Sequence, residues 1–525
     1  MTKKMSLLLM LSIFIAACNL PSATMINSRA TPSITATETS SVPLPPVAGP
    51  DPSYKVAAFY YPWYGNPKFD GQWIHWEETH FNPPQDISSD YYPEMGAYSS
   101  HDPAVVAQHM AWLREAGIGV IIVSWWGPGT YEDSGLPLIL QTADHYGIKV
   151  AFHIEPYDGR TADSLISDIK YIYQRYGSSP AFFRSTSTTH YSPGRQPKGM
   201  FFVWCIESIG TCGAQSAQAD YWQKAMDEIH ALPDSALVIA NTLQGSWIDG
   251  GHFDGLYNYA TLHLEQEGGF NWTRSLPPDS LYIPSVIPGF SAKRVGDPAD
   301  TFVPRDDGAT FNDQWAAALG TGIQPDMVTI TSFNEWHEGT MIEPPALGAN
   351  DGKGYSYADF GKLPPDGYLT LSHQWIQKYL NTTWPTPTTY RVRIQIDTTS
   401  DWTTLAIVSG GGWMRPHMVE ASPTATQAGI DDQGRLALLQ SLDDANGGKQ
   451  VEMSWDLLLT SLDPSGNLIL EIDRGDLGST QVTIYNYAGN SPVQVKTFNW
   501  HGITSGRNPD HVVVPDSLLI SASNP

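Results

Sequence analysis

Between Tyr54 and Phe333 short apolar runs alternate with stretches of helical periodicity. The runs at 56–61, 119–125, 149–155, 199–204, 236–241, 255–259, 281–287 and 327–333 are rich in β-branched and aromatic residues and have strand length. Apolar positions at helical spacing fall between several of them, over 103–116, 136–146, 162–176, 219–231 and 308–319. Gly117 and Gly147 stand where helices commonly stop before the next strand. Eight strands with interleaved helices over about 325 residues predict an α/β fold, a (β/α)8 TIM barrel, in preference to an open doubly wound sheet. No Gly-x-Gly-x-x-Gly follows the first strand, which removes the main support for a dinucleotide domain.

The flanks follow other patterns. Residues 1–18 carry Lys3 and Lys4, then an apolar run too short to span a bilayer, then small residues and Cys18. This reads as a secretory signal, and Ile15-Ala16-Ala17-Cys18 resembles a bacterial lipobox, in which Cys18 becomes the lipidated first residue. Residues 19–50, dominated by Ser, Thr, Pro and Ala, predict a disordered tether. The barrel is expected over 51–380. After a Thr- and Pro-rich linker, residues 390–525 alternate short apolar runs (390–396, 404–408, 450–454, 468–472, 481–487, 495–500) with Gly, Asp and Asn turns, and predict a C-terminal all-β, sandwich-like domain. Glycan binding and plain packing against the barrel are both open roles for it.

Composition narrows the partners. Net charge is −25, from 29 basic and 54 acidic residues, a field that repels phosphate backbones and excludes nucleic acid. The 18 Trp and 25 Tyr exceed what packing calls for and suit stacking on the C–H faces of sugars. Membrane contact is expected only through the N-terminal lipid, with the body outside the cytoplasm as a monomer. In an exported protein Cys205 and Cys212 are expected to form a disulfide closing the 206–211 loop, with a nucleophilic cysteine as the other reading.

Chemistry-bearing residues gather at the C-terminal ends of the strands, the face on which barrels carry their active sites. The first strand runs into Tyr60, Tyr61 and Trp63, the second into Trp125 and Trp126, and the third into His153 and Glu155. The sixth ends in Tyr257 and Tyr259, and the last in Asn334, Glu335, Trp336, His337 and Glu338. Two acids beside aromatics are the minimum equipment for hydrolysing a glycosidic bond, and Glu335 and Glu338 are the candidate pair. Each flanking aromatic, taken alone, is more often a packing residue; it is their conjunction that points to a site.

These motifs resemble the family 99 glycoside hydrolases, endo-α-mannosidases acting inside mannose-containing glycans. The resemblance rests on Phe59-Tyr60-Tyr61-Pro62-Trp63-Tyr64-Gly65 with Trp73-Ile74-His75-Trp76, on Val123-Ser124-Trp125-Trp126, and on Phe152-His153-Ile154-Glu155-Pro156-Tyr157 with Gly159-Arg160-Thr161. Its most specific piece is Ser332-Phe333-Asn334-Glu335-Trp336-His337-Glu338-Gly339-Thr340 with Ile342-Glu343-Pro344. It covers about residues 54–380 and implies a (β/α)8 barrel, in agreement with the strand count. It further implies retention without a covalent glycosyl-enzyme. Glu335 would take the proton of the substrate 2-hydroxyl, whose oxygen closes a 1,2-anhydro sugar, and Glu338 would protonate the leaving oxygen. A nucleophile-and-acid pair is the alternative with the same residues. By resemblance Trp125 forms a sugar platform and Glu155 holds hydroxyls. Tyr60 or Tyr61, and Tyr257 or Tyr259, donate near the reacting centre, while Glu343 is a structural acid.

No cofactor is expected. His153, Glu155, Glu335, His337 and Glu338 lack the spacing of a zinc hydrolase, so no catalytic metal is expected either. A hydrolase for another α-linked or surface polysaccharide, and an inactive glycan-binding lipoprotein, are the competing functions.

Overall fold

The structure is a computed structural model. It describes residue 47 and residues 49–384 except 79, 186–196, 208–218, 263, 265–268, 271, 273–275, 277–279, 297–301 and 322; beyond 389 it describes the strand segments between 390 and 515. The leader with Cys18, nearly all of the tether, and Cys212 lie outside the described residues. Cys205 is disulfide-bonded.

The barrel is built from β1 (Ser53–Tyr60), β2 (Ile118–Trp125), β3 (Lys149–Ile154), β5 (Lys198–Val203), β6 (Ala236–Asn241), β7 (Gly255–Tyr257), β8 (Leu281–Ile283), β9 (Ser285–Val286) and β10 (Val328–Ile330), with the short β4 (Arg184–Ser185) antiparallel beside β5. The order is β8-β7-β6-β5-β3-β2-β1-β10-β9. Only Pro284 separates β8 from β9. Proline cannot donate to a ladder, so the strand breaks there. Its first half pairs with β7, its second half with β10, and the Pro284 carbonyl still accepts from Thr329 N at 2.9 Å. The two ends of the sheet are therefore one strand, and eight parallel staves close the barrel. All eight residues of β2 are buried, as a stave covered on both faces requires.

The main helices of the barrel are α2 (Pro103–Glu115), α3 (Tyr131–Tyr146), α4 (Ala162–Tyr176), α5 (Asp220–His230), α7 (Ala309–Leu319) and α8 (Gly367–Asn381), and two short ones, α1 (Pro67–Asp70) and α6 (Ser246–Gly251), sit in loops. Helix α3 begins five residues before the expected start at 136. Thr130 caps it, and Pro137 lies inside it. That proline leaves the Asp133 carbonyl without its helical N–H, and Tyr176 Oη, which donates to Asp133 Oδ1 at 2.8 Å, shares its proton with this carbonyl at 3.1 Å. Helix α8 was absent from the sequence expectation; it buries Leu369, Ile376 and Tyr379.

Among the described residues beyond the barrel stand ten strands: β11 (Tyr390–Thr398), β12 (Trp402–Ile407), β13 (His417–Ala421), β14 (Gln427–Ile430), β15 (Leu436–Leu439), β16 (Val451–Leu459), β17 (Asn467–Arg474), β18 (Ser479–Ala488), β19 (Ser491–His501) and β20 (Asp510–Pro515). They form two five-stranded antiparallel sheets, β13-β16-β11-β18-β19 and β14-β15-β12-β17-β20. Leu468 and Leu470 on β17 and Val482 and Ile484 on β18 are buried apolar residues two apart on their strands, with Thr483 buried between the latter pair. Strands β13, β14, β15 and β20 are additions to the sequence expectation.

Candidate active site

Strand β10 feeds a loop that folds back on itself. Ser332 N donates to Thr340 O at 2.9 Å, Ile342 N to Ser332 O at 3.0 Å, and Glu335 N to Ser332 Oγ at 2.8 Å. The turn needs Gly339: its φ is 57°, and a Cβ there would lie 2.7 Å from the Ser291 carbonyl oxygen. This fold places Glu338 N 2.9 Å from Glu335 Oε2, so the two acids share one turn. Burial, and then the charge of Glu338, push Glu335 well above the usual carboxylate range. Glu338 is half-buried, and Tyr259 Oη donates to its Oε2 at 3.2 Å. Tyr61 Oη in turn hydrogen-bonds with Tyr259 Oη. With Tyr259 donating to the carboxylate, Tyr61 donates to Tyr259. Burial raises both phenols well above their ordinary value, so both stay protonated as donors.

Asn334 ties this loop to the end of β1. Its Oδ1 accepts from Tyr61 N at 2.7 Å and its Nδ2 donates to Tyr61 O at 2.9 Å. On the opposite side of the mouth, Glu155 Oε1 accepts from Ser124 Oγ at 2.8 Å, and Trp126 Nε1 donates to that hydroxyl at 3.0 Å. His153 Nδ1 lies 2.8 Å from the same Glu155 oxygen but off the line of a hydrogen bond, while Nε2 meets Tyr257 Oη at 2.6 Å. Trp63 packs between Tyr61 and His75, at 4.7 and 4.8 Å between ring centres, with Trp126 at 6.5 Å.

Four of the expected ligand residues are drawn away from the mouth. Side chains alternate along a strand, so neighbours face opposite ways. Tyr60 points outward to α2, where its hydroxyl meets His109 Nδ1 at 3.0 Å, and Tyr61 is the tyrosine of the site. Trp125 is fully buried under α3 with Nε1 donating to Asp133 Oδ1 at 2.9 Å; the half-buried indole at the mouth is Trp126. Tyr257 is committed to His153, leaving Tyr259 as the partner of Glu338. Trp336 is fully buried, with N donating to Tyr64 Oη at 3.0 Å and Nε1 to Glu343 Oε2 at 2.9 Å.

Sequence reasoning passed over several residues that shape the site. Arg160 Nη1 donates to Trp204 O at 2.6 Å and Nη2 to Cys205 O at 2.9 Å, clamping the loops beside Glu155; its place in the Gly159-Arg160-Thr161 motif was the available signal. His75 and Glu78 lie beside His337, and these three form the cluster, among the described residues, that could hold a metal ion. Burial lowers the pKa of His337, keeping its imidazole neutral.

A closed parallel barrel whose C-terminal mouth gathers paired carboxylates, phenols and indoles defines the class: a sugar-cleaving enzyme of the glycoside hydrolase type. The profile of glycosyl hydrolase family 99 matches residues 52–381, and the chain belongs to that family. The glycoprotein endo-alpha-1,2-mannosidase of Mus musculus is 34% identical to it over 378 residues, 64% of this chain and 76% of that protein. That of Xenopus laevis is 35% identical over 389 residues, 66% of this chain and 83% of that one. A solved family 99 endo-alpha-mannosidase from Bacteroides thetaiotaomicron superposes with a TM-score of 0.53 at 30% identity, covering 63% of this chain and 98% of that chain.

Proposed function

We propose that this glycoside hydrolase is an endo-acting α-mannosidase that cuts internal α-mannosidic bonds of a mannan or N-glycan-type chain with retention. The observation that carries the reading is the turn that joins Glu335 to Glu338 and hands Glu338 the Tyr61–Tyr259 hydroxyl chain. The named relatives act on this class of bond, which supports the choice of sugar. Its raised pKa makes Glu335 the stronger base of the pair once it is ionised. With the pair's one proton on Glu338, Glu335 takes the proton of the 2-hydroxyl, the freed oxygen attacks its own anomeric carbon, and Glu338 protonates the departing oxygen. Glu338 then deprotonates the water that opens the 1,2-anhydro sugar while Glu335 returns its proton to O2. Tyr259 orients the Glu338 carboxyl through both steps, and Trp126, Glu155 and Trp63 line the approach. The enzyme works outside the cytoplasm on a lipid anchored at Cys18.

The test is digestion of yeast-type α-mannan and a glucosylated mannose oligosaccharide by the full chain, with Glu338→Gln as control. Oligosaccharide release by the native chain alone supports the reading; silence on both substrates overturns the mannose assignment. A substrate lacking the 2-hydroxyl separates the mechanisms, because the anhydro route cannot turn it over and a covalent route can. Mass spectrometry of the mature N-terminus checks the lipid on Cys18.

A further inference from the structure

The loop after β1 brings two ligand-type side chains against the catalytic turn that the mechanism above does not use. His75, Glu78 and His337 each offer a donor atom, and the three atoms lie within 4.8 Å of one another. We propose that these three residues form a binding site for a single divalent cation of the zinc type, and that filling it inhibits the enzyme. The inhibitory half rests on the hydrolase reading above; the binding half does not.

The donor set selects the ion. Two imidazoles and one carboxylate suit zinc and its transition-metal neighbours, whereas magnesium and calcium prefer all-oxygen shells. The tautomer of His337 fits as well. Its Nε2 lies 2.6 Å from the His75 carbonyl oxygen, an atom that can only accept, so Nε2 carries the proton and Nδ1 carries the lone pair. Ser88 Oγ stands 3.1 Å from the same Nε2 and donates to the His75 carbonyl at 3.0 Å, which fixes the ring. A histidine held through its other nitrogen by a backbone carbonyl is the usual posture of a metal ligand.

His337 Nδ1 faces Glu335 Oε1 at 3.7 Å, so that acid stands within reach of a cation held on Nδ1. On the other side, His75 Nδ1 donates to Glu78 Oε1 at 2.8 Å, and a cation bound to both displaces that proton. The side chains of His75 and Glu78 are 21% and 17% exposed, so an ion can enter from solvent, while His337 anchors it from the buried side. A cation seated there can draw Glu335 in as a fourth ligand and hold it off the sugar.

Zinc chloride titrated calorimetrically into chelator-stripped full chain tests this, beside His75→Ala and the isosteric Glu78→Gln, with magnesium chloride as the comparison ion. The expected result is one zinc site per chain, at least about 10-fold weaker in either variant, with no magnesium heat. Hydrolysis should fall over the same zinc range, recover with EDTA, and lose zinc sensitivity in the variants. Thermal melting establishes that the variants are folded, and Glu78→Gln keeps the decision if His75→Ala is not. No zinc binding, or binding of unchanged strength in the folded variants, overturns the proposal. The second outcome would place the ion at another histidine, such as the His230–Asp254 pair. Should the chain prove inactive on mannosides, the zinc titration still decides the binding half.

Discussion

Glu343 is the strongest place to test how the catalytic turn is held. Its carboxylate is fully buried and accepts three hydrogen bonds: Tyr98 Oη at 2.8 Å and Trp336 Nε1 at 2.9 Å on one oxygen, His109 Nε2 at 3.1 Å on the other. His109 passes the link on to Tyr60, so one side chain joins β1 and α2 to the residue next to Glu335. Glu343→Ala orphans the Tyr98 and His109 donors and leaves Trp336 Nε1 only its weaker bond to Tyr98 Oη at 3.1 Å. At about 1–3 kcal/mol for each orphaned donor, partly relieved by water entering the gap, a loss of about 2–4 kcal/mol is expected. Glu343→Gln keeps an oxygen for Tyr98 and Trp336, and its amide faces His109, which answers by moving its proton to Nδ1. That swap loses charge assistance on two bonds but also removes a buried charge, and the two effects offset to within about 1 kcal/mol. Urea unfolding followed by tryptophan fluorescence separates the cases. In the hydrolysis assay Glu343→Ala should lower kcat on the order of 100-fold with KM little changed, because a misplaced turn costs rate more than binding. If Gln and Ala are equally destabilising, the charge and not the acceptor geometry matters. If Ala destabilises without touching kcat, the Trp336 anchor does not position the acids.

Tyr259→Phe removes one charge-assisted hydrogen bond from Glu338 and leaves Tyr61 without its partner; kcat/KM on mannan should fall on the order of 10- to 100-fold with the fold intact. Asp168 is pushed up to about 6 from 3.8, chiefly by burial, while it accepts from Tyr157 Oη at 2.6 Å. Folding therefore disfavours its charge: the penalty is absent below its unfolded value and grows as pH rises through the folded one. Asp168→Asn should gain about 1–2 kcal/mol at pH 8 and nothing at pH 4, read from urea midpoints at both. Tyr176→Phe removes the hydroxyl shared by the Asp133 carboxylate at 2.8 Å and the Asp133 carbonyl at 3.1 Å and should cost about 1–3 kcal/mol; Pro137→Ala in the same chain restores a helical N–H to the carbonyl alone and should recover only the smaller part of that cost in a double-mutant cycle.

The staves are legible because parallel strands covered on both faces are unbroken apolar runs, and the 281–287 run has the pattern of one strand although Pro284 divides its ladder. The start of α3 is obscured by Pro137, whose cost is met only in part by the Tyr176 hydroxyl, 39 residues away in sequence. The same limit governs the site. Sequence placed the candidate acids and aromatics on the loops where the staves end, but it left Tyr60 against Tyr61 and Tyr257 against Tyr259 open and carried Trp125 and Trp126 together. Each is a question of parity, and parity is lost where a strand's last residue leaves extended geometry. It is restored only by contacts from far along the chain. Asn334 grips both backbone groups of Tyr61 across a separation of 273 residues, and His109 captures the Tyr60 hydroxyl from α2. The choice between adjacent aromatics is thus made by what lies behind the strand and not by the pair itself. His75 and Glu78 follow the same logic: their i, i+3 spacing carries no signal until His337 arrives from the other end of the barrel.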